Sequence, residues 1–463
     1  MRRLLTALLA ITAVVGIALF FAGNPGAVSI AWRGWQIDTS VGVALLLLVL
    51  AVAALIVAWR LVTAVLGAPR RYLRRRRENH RLRGFRDLTR GLVAIAAGDG
   101  HAAERHRRRA ELAFQKGKHE QPPLALLLSA QGALMRGDKD QATEAFGAML
   151  RDPETAFLGY RGLIMQAAKS GDDRTALQLT EKARRLQPGS SWVLQHQLAL
   201  EARLGDWRNA ADTLRDAVRR RAVTAETGRR YKMVLHLARS QQAQSEQLSR
   251  DALNYAAQAH GLDDGFAPAA VHYASLLRDG GRTAKGLRIL ETAWSRRSHP
   301  EIAKAYDLLL ASEAPVARAR RFERLVDLRP NDGEAHIAAA AMAMTAQLWG
   351  EARRHLDRAG AQGPGPWSHR LCELMAALER AERRNAEAER LWLERMAKAP
   401  REPGWVCQEC QGECPAWRVI CPSCQSFASL QWDIPRIAPP AERAGPETVI
   451  LPPEPQVGAG LKT

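Results

Sequence analysis

Phe157 to Ser190 reads FLGYRGLIMQAAKSGDDRTALQLTEKARRLQPGS, and its pattern decides the fold. Tyr160 and Leu163 lie on one helical stretch, Gly171 breaks it, and Ala176 and Ala183 lie on a second that closes at Pro188. Small residues at those positions let two helices approach closely, and a glycine between them lets the chain reverse. Advancing by about 34 residues recovers the register at Gly205, Ala210 and Ala217.

The same offsets recur as Gly137, Ala142 and Phe146 upstream. Downstream they are Gly281, Gly286, Leu290 and Ala293, then Phe322 and Pro330, then Ala352, Leu356, Ala359 and Pro364. One unit is imperfect, because Arg318 stands where a small residue is expected. Between Val223 and Gly261 the pattern weakens, and two helices separated near Arg239-Ser240 would preserve the stack. This is the tetratricopeptide period, which predicts about eight or nine helix pairs over residues 83–399. Each pair buries its apolar face against its neighbours, so the product is an α-solenoid, a binding architecture. In the two best units the groove-facing offsets fall on Arg161 and Met165, beside Leu158, and on Trp192 and Gln195, a candidate partner-binding stripe.

Composition agrees with helix. The 463 residues are 47% hydrophobic and only 6% aromatic, and β-branched residues thin out after position 66. Two runs depart from this background. Leu4 to Ala22 and Val41 to Ala58, the second extendable through Leu66, are uncharged stretches long enough to cross a hydrocarbon layer of about 30 Å. A cleaved signal peptide is the rival for the first run, but Phe20-Phe21 ends it without a small-x-small site. Residues 1–66 thus read as a two-span membrane hairpin. Its short loop alternates apolar and polar from Val28 to Ile37 about Arg33-Gly34, a β-hairpin pattern.

Arginine placement orients the hairpin. Arg2 and Arg3 precede the first span, while Arg70, Arg71, Arg74, Arg75, Arg76 and Arg77 follow the second in a basic segment, residues 67–82. The loop holds Arg33 against Asp38, so both ends of the chain are expected in the cytoplasm. Anionic lipid headgroups account for the basic run and no nucleic-acid motif accompanies it, so nucleic acid is not an expected partner despite a net charge of +19.

Near the other end stand Cys407-x2-Cys410 and Cys421-x2-Cys424, with tight turns marked by Gly404, Gly412, Pro415 and Pro422. Paired C-x2-C arms place four thiolates around one tetrahedral ion, zinc in the first instance, with iron also compatible. A disulfide pair or unstructured thiols are the competing readings. Cys414 precedes Pro415 and lies outside the symmetric set, and Cys372 belongs to a helical stretch. Four protein ligands leave no open position, so the role is structural. Trp405, Trp417 and Trp432 supply the packing mass of this small ribbon, residues 400–432. Coming directly after Leu391-Trp-Leu393, the ribbon is placed to cover the last helix pair. Residues 433–463 are proline-rich and read as a mobile tail.

Catalytic signatures are missing: there is no H-E-x-x-H, no G-x-x-x-x-G-K-[ST], no G-x-S-x-G and no dinucleotide glycine fingerprint. The twelve histidines are scattered and read as surface residues, although any could be a haem axial ligand. The chain reads as all-α and non-enzymatic.

Taken together, Asn24-Pro-Gly26, Trp32-Arg-Gly-Trp35, Trp405-Val-Cys407, Trp417, Cys421-Pro-Ser-Cys424 and Trp432 resemble the HemY family of proteobacterial membrane proteins. The resemblance implies a rubredoxin-like terminal ribbon and an inner-membrane scaffold for protein partners linked to haem biosynthesis. It does not imply the flavin-dependent protoporphyrinogen oxidase of the same name. A tetrapyrrole-binding carrier is the competing class. The layout is also similar to lipopolysaccharide assembly protein B, which implies an adaptor for a membrane protease.

Overall fold

The computed structural model of the protein describes Thr12 and residues 26–32, 35–362 and 367–435. It divides into two units, residues 1–128 and 129–463. The first expected span, apart from Thr12, and the tail beyond residue 435 lie outside the described residues.

In the first unit, β1 (Ala27–Trp32) and β2 (Trp35–Ser40) form an antiparallel hairpin with Trp32 opposite Trp35. The Val41 N–H donates to the Gly26 carbonyl at 2.9 Å, closing the hairpin onto α1 (Val41–Ala96). This helix has 56 residues and is about 84 Å long at 1.5 Å per residue. Its opening stretch, Val41–Thr63, spans 23 residues, and its most apolar window has a mean hydropathy of 3.2 with no part buried. That is about 35 Å of apolar rod, enough for one crossing.

The basic segment is not a separate piece, because 67–82 is continuous helix and the boundaries expected at 66 and 82 fall inside α1. Arg70, Arg71, Arg74, Arg75, Arg76 and Arg77 all lie on it, and the last three are exposed. Arginine is a good helix former and carries the helix onward. Pro69 has no N–H to offer the Val65 carbonyl, which makes this the weakest turn. The end of α1 packs on α2 (Gly100–Gly117), where Gly84 lets the Phe114 ring lie against the backbone and Leu88 and Ile95 are buried.

Helix α3 (Leu124–Arg136) leads into the second unit. There the helices pair in order: α3 with α4 (Lys139–Met149), α5 (Ala156–Lys169) with α6 (Asp173–Leu186), and α7 (Ser191–Arg203) with α8 (Trp207–Arg219). Next come α9 (Ala225–Ser245) with α10 (Ser249–Leu262), then α11 (Ala267–Asp279) with α12 (Thr283–Arg296). The array continues with α13 (Pro300–Leu309) and α14 (Pro315–Leu328), α15 (Gly333–Thr345) and α16 (Trp349–Gln362), and α17 (His369–Leu378) and α18 (Ala386–Ala397).

The turns explain the regularity. Gly137, Gly171 and Gly205 adopt φ of +79°, +81° and +73°, a left-handed conformation that costs glycine nothing. Each is followed by an aspartate whose carboxylate accepts the N–H three residues on: Asp138 from Gln141, Asp172 from Thr175, Asp206 from Asn209. Ala142, Ala176, Ala183, Ala210 and Ala217 are fully buried where helices cross. These local features make the pairs tetratricopeptide-like.

The structure corrects the weak stretch. Helix α9 runs unbroken for 21 residues, through Arg239 and Ser240, and the reversal comes at Gln247, which takes φ of +61° without being glycine. Ser240 is internal because its hydroxyl is used, donating to the Ala252 carbonyl at 2.6 Å. At the imperfect unit, Arg318 is tolerated because its Nε donates to the Asp307 carboxylate at 2.9 Å.

The ribbon contributes β3 (Gly404–Cys407), β4 (Glu413–Cys414) and β5 (Leu430–Asp433) in an antiparallel sheet of order β4-β3-β5. It does not cap the last helix pair. No residue of α18 is buried, Leu391 and Leu393 stay open, and Trp392 packs on Trp367 beneath the Arg395 guanidinium. The three ribbon tryptophans pack against Phe266 and His299 of the middle array instead.

Candidate metal centre and its seat on the array

Two near-identical knuckles build the centre. In the first, Cys407 ends β3, its N–H donates to the Gly412 carbonyl and its carbonyl accepts from Gln411. In the second, the Cys421 N–H donates to Ser426 and its carbonyl accepts from Gln425. Gln411 and Gln425 both adopt left-handed φ, +57° and +60°, where glycine would be unstrained. Each side-chain amide donates to the carbonyl three residues back, Gln408 and Pro422, which helps hold the turn.

The knuckles bring four sulfurs together. Sγ of Cys407, Cys410, Cys421 and Cys424 all lie within 4.8 Å of one another. Cys407 and Cys424 are 3.6 Å apart, Cys410 and Cys421 3.8 Å. Four thiolates on a tetrahedral zinc at about 2.3 Å would stand about 3.8 Å apart, so the set fits such an ion. The separations also exclude disulfides, since a bonded pair stands about 2.05 Å apart. Cys407 and Cys421 are buried, whereas Cys410 and Cys424 face solvent.

Electrostatics points the same way. Burial raises the Cys407 thiol, but hydrogen bonding with the Ser426 and Ser429 hydroxyls and from the Cys410 and Glu409 N–H groups outweighs it and brings it to about 6. Cys410 is pushed up to about 12 by burial and by its cysteine neighbours. One thiolate thus suppresses the next, a conflict that a dication removes. Cys414 stands apart on β4, buried opposite Trp405, and is not one of the clustered sulfurs. Cys372 is fully buried in α17.

The ribbon lies near the N-terminal ends of α9, α11, α13 and α17. Phe427 meets Tyr231 edge-on at 5.1 Å, and Trp417 meets Phe266 at 5.5 Å. His299 sits against Trp432 at 4.2 Å, and the Trp405 indole N–H donates to Glu301 at 2.8 Å. Arg230 donates to the Ala428 carbonyl, and the Arg370 N–H to the Glu402 carboxylate at 2.7 Å.

The expected groove stripe is partly assembled. Arg161 lies 5.1 Å over the Trp192 ring, which stacks on His196 and meets Phe157 edge-on. Met165 is half-buried nearby on α5. Gln195 is turned to another task, its amide donating to the Ala222 carbonyl at 2.7 Å.

Sequence reasoning missed the buried histidines. His299, His336 and His355 are at most 2% exposed, so they are not surface residues. His336 and His355 touch through Nδ1 at 3.0 Å, with Pro330 and Glu323 at the two ends of the chain. Their 19-residue separation places them on two helices and leaves no short motif to find.

Comparison with known proteins places the N-terminal part. Residues 26–137 match the family model described as HemY protein N-terminus. This segment is HemY-like. The chain is also 26% identical over 444 residues, 93% of each, to the probable magnetosome protein Mms48 of Magnetospirillum gryphiswaldense. Two solved structures are more distant. A tetratricopeptide repeat protein from Parabacteroides merdae is 12% identical, covers 52% of this chain and 92% of its own, and has a TM-score of 0.27. Pseudomonas aeruginosa pilF is 15% identical, covers 53% and 92%, and has a TM-score of 0.24. The assignment of helix pairs rests on the turns and caps above rather than on these scores.

Proposed function

We propose that the protein is a non-enzymatic scaffold of the bacterial inner membrane, with two spans and both termini in the cytoplasm. Its helix array and rubredoxin-like zinc ribbon would gather protein partners connected with haem biosynthesis. One observation carries the reading: the chain with a bare apolar rod at Val41–Thr63 also holds an array of stacked helix pairs. An exposed apolar helix of that length is stable in lipid and not in water, and stacked pairs expose long surfaces suited to extended partners. The HemY-like segment supports the link to haem biosynthesis. The likeness to Mms48 supports the shared layout, since it runs through nearly the whole of both chains.

Affinity capture from detergent-solubilised membranes tests this, with residues 1–80 as an anchor-only control. Proteins retained by the full chain alone, including an enzyme or carrier of tetrapyrrole synthesis, are the expected result. Identical recovery from both baits would sink the scaffold reading. Orientation is tested separately by alkaline phosphatase fused after Thr463, which should be inactive.

A further inference from the structure

The long helix α9 leaves a cavity of about 610 Å³ against α8, closed at one side by Leu262. The helices touch at Gly228, where a Cβ would stand 2.5 Å from Val218 Cγ2, and the cavity opens beyond that contact. Leu214, Val218, Leu235 and Leu262 make its walls apolar. Arg215, Arg229, Lys232 and Arg239 line it as cations, against a single carboxylate, Asp212, which Arg215 already pairs.

Two of these cations have neutral partners. Arg229 donates to the Leu262 carbonyl at 3.1 and 2.8 Å, and Arg239 donates to the Tyr255 hydroxyl at 2.6 Å while stacking on that ring. Their hydrogen bonds are satisfied while those contacts leave their charge uncompensated. His236 lines the same cavity, and its Nδ1 is buried with no hydrogen-bond partner. Burial, then Lys232 and Arg239, hold this imidazole near pKa 4, so the cavity is already positive and its histidine neutral. An apolar cleft of this size with a few convergent polar groups is the usual form of a small-molecule site.

We propose that this cavity binds an amphiphile with one acidic head and a long alkyl chain, a fatty carboxylate or a lysophosphatidate. The chain lies along Leu214, Val218, Leu235 and Leu262, and the head meets Lys232 and Arg239. A zwitterionic or neutral head gains nothing from the cations and is discriminated against.

The test uses the full chain in phosphatidylcholine nanodiscs with a diazirine-bearing palmitate probe, photolysed and mapped by mass spectrometry. Label should concentrate on peptides between residues 211 and 262. It should fall at least about fivefold in Lys232→Glu, which reverses a charge facing the head, and similarly in Ala211→Phe, which fills the wall. Circular dichroism accompanies both variants, and Lys232 is exposed, so at least that one reports on binding rather than folding. Competition by unlabelled palmitate or by lysophosphatidate identifies the source, and displacement by either supports the proposal. No label in the segment, or equal labelling by the neutral amide of the same probe, overturns it.

Discussion

Two neighbouring stretches of the array are built to different rules. From Gly137 to Arg219 the helices have 11 to 14 residues, the reversal within each pair is a glycine, and each second helix is capped by an aspartate. From Ala225 to Leu262 the first helix has 21 residues, the reversal is Gln247, and Leu248 offers no side-chain cap. The irregular stretch contributes most of the cationic cavity and, through Arg230 and Tyr231, part of the ribbon's seat. The regular stretch holds a cavity too, about 640 Å³ between Glu181 and Arg219, but its lining includes Glu181, Glu201, Asp212 and Asp216 beside the arginines. What the irregular stretch adds is a cavity lined mainly by cations and apolar side chains, and one part of the landing surface.

The largest effect expected is at the ribbon that rests on this irregular stretch. Cys410→Ser should abolish binding of one metal ion per chain and with it most of the roughly 10 kcal/mol that a structural site supplies. Cys414→Ser should keep the ion. Elemental analysis decides between them, and equal loss from both would break the four-ligand assignment. Limited proteolysis of the first variant should cut between 400 and 435 while the regular pairs survive.

Next in size, Trp405→Ala removes a ring that is 3% exposed and should destabilise the ribbon by about 3–5 kcal/mol. Ala176→Leu, overpacking a fully buried crossing in the regular stretch, should cost about 1–3 kcal/mol. Hydrogen exchange resolved by segment should place the first loss at 400–435 and the second at 156–219. Spread of either into the other region would mean the two are one cooperative unit.

Acid should act on the irregular stretch and the helices that follow it. His236, His272 and His299 are each held near pKa 4, by burial in every case, aided at His236 by Lys232 and Arg239 and at His299 by Arg297 and Arg370. An unfolded imidazole takes its proton near 6.5, so between 6.5 and 4 the unfolded chain binds more protons than the folded one. Stability is therefore complete above 6.5 and declines as pH falls toward 4, by at most about 1.4 kcal/mol per pH unit for each histidine. Melting temperatures at pH 7, 6 and 5 should fall in that order, and His299→Gln should flatten the slope. An unchanged slope would show that the ribbon leaves this surface before the ring titrates.

The smallest effects compare the two kinds of reversal directly. Gly171→Ala, at φ of +81° with open space around it, should cost about 1 kcal/mol. Gln247→Gly should gain a similar or smaller amount, read by chemical denaturation. Two losses would mean that the Gln247 side chain does more than occupy the turn.

What the sequence displayed follows from this contrast. Gly137, Gly171 and Gly205, the buried alanines and the two C-x2-C arms could be read because each encodes its task within a few residues. The end of α9 could not, because Gln247 takes a glycine conformation without being glycine and Ser240 looked like a turn residue. Nor could the ribbon's position. Trp405 and Glu301 are 104 residues apart, and adjacency to Leu391-Trp-Leu393 pointed instead to the nearer helices. His299 looked like a surface residue for the same reason, since the rings that bury it, Trp405 and Trp432, come from the far end of the chain.

That long reach sets an order of events during synthesis. Tyr231, Phe266 and His299 leave the ribosome well before the segment that covers them, and the last 104 residues between Glu301 and Trp405 take about 5–20 s at ordinary elongation rates. Through that interval Tyr231, Phe266 and His299 have no ribbon to cover them. A chain cut short of residue 400 would display aromatic surface that the full one hides, and the ribbon's arrival would mark its completion.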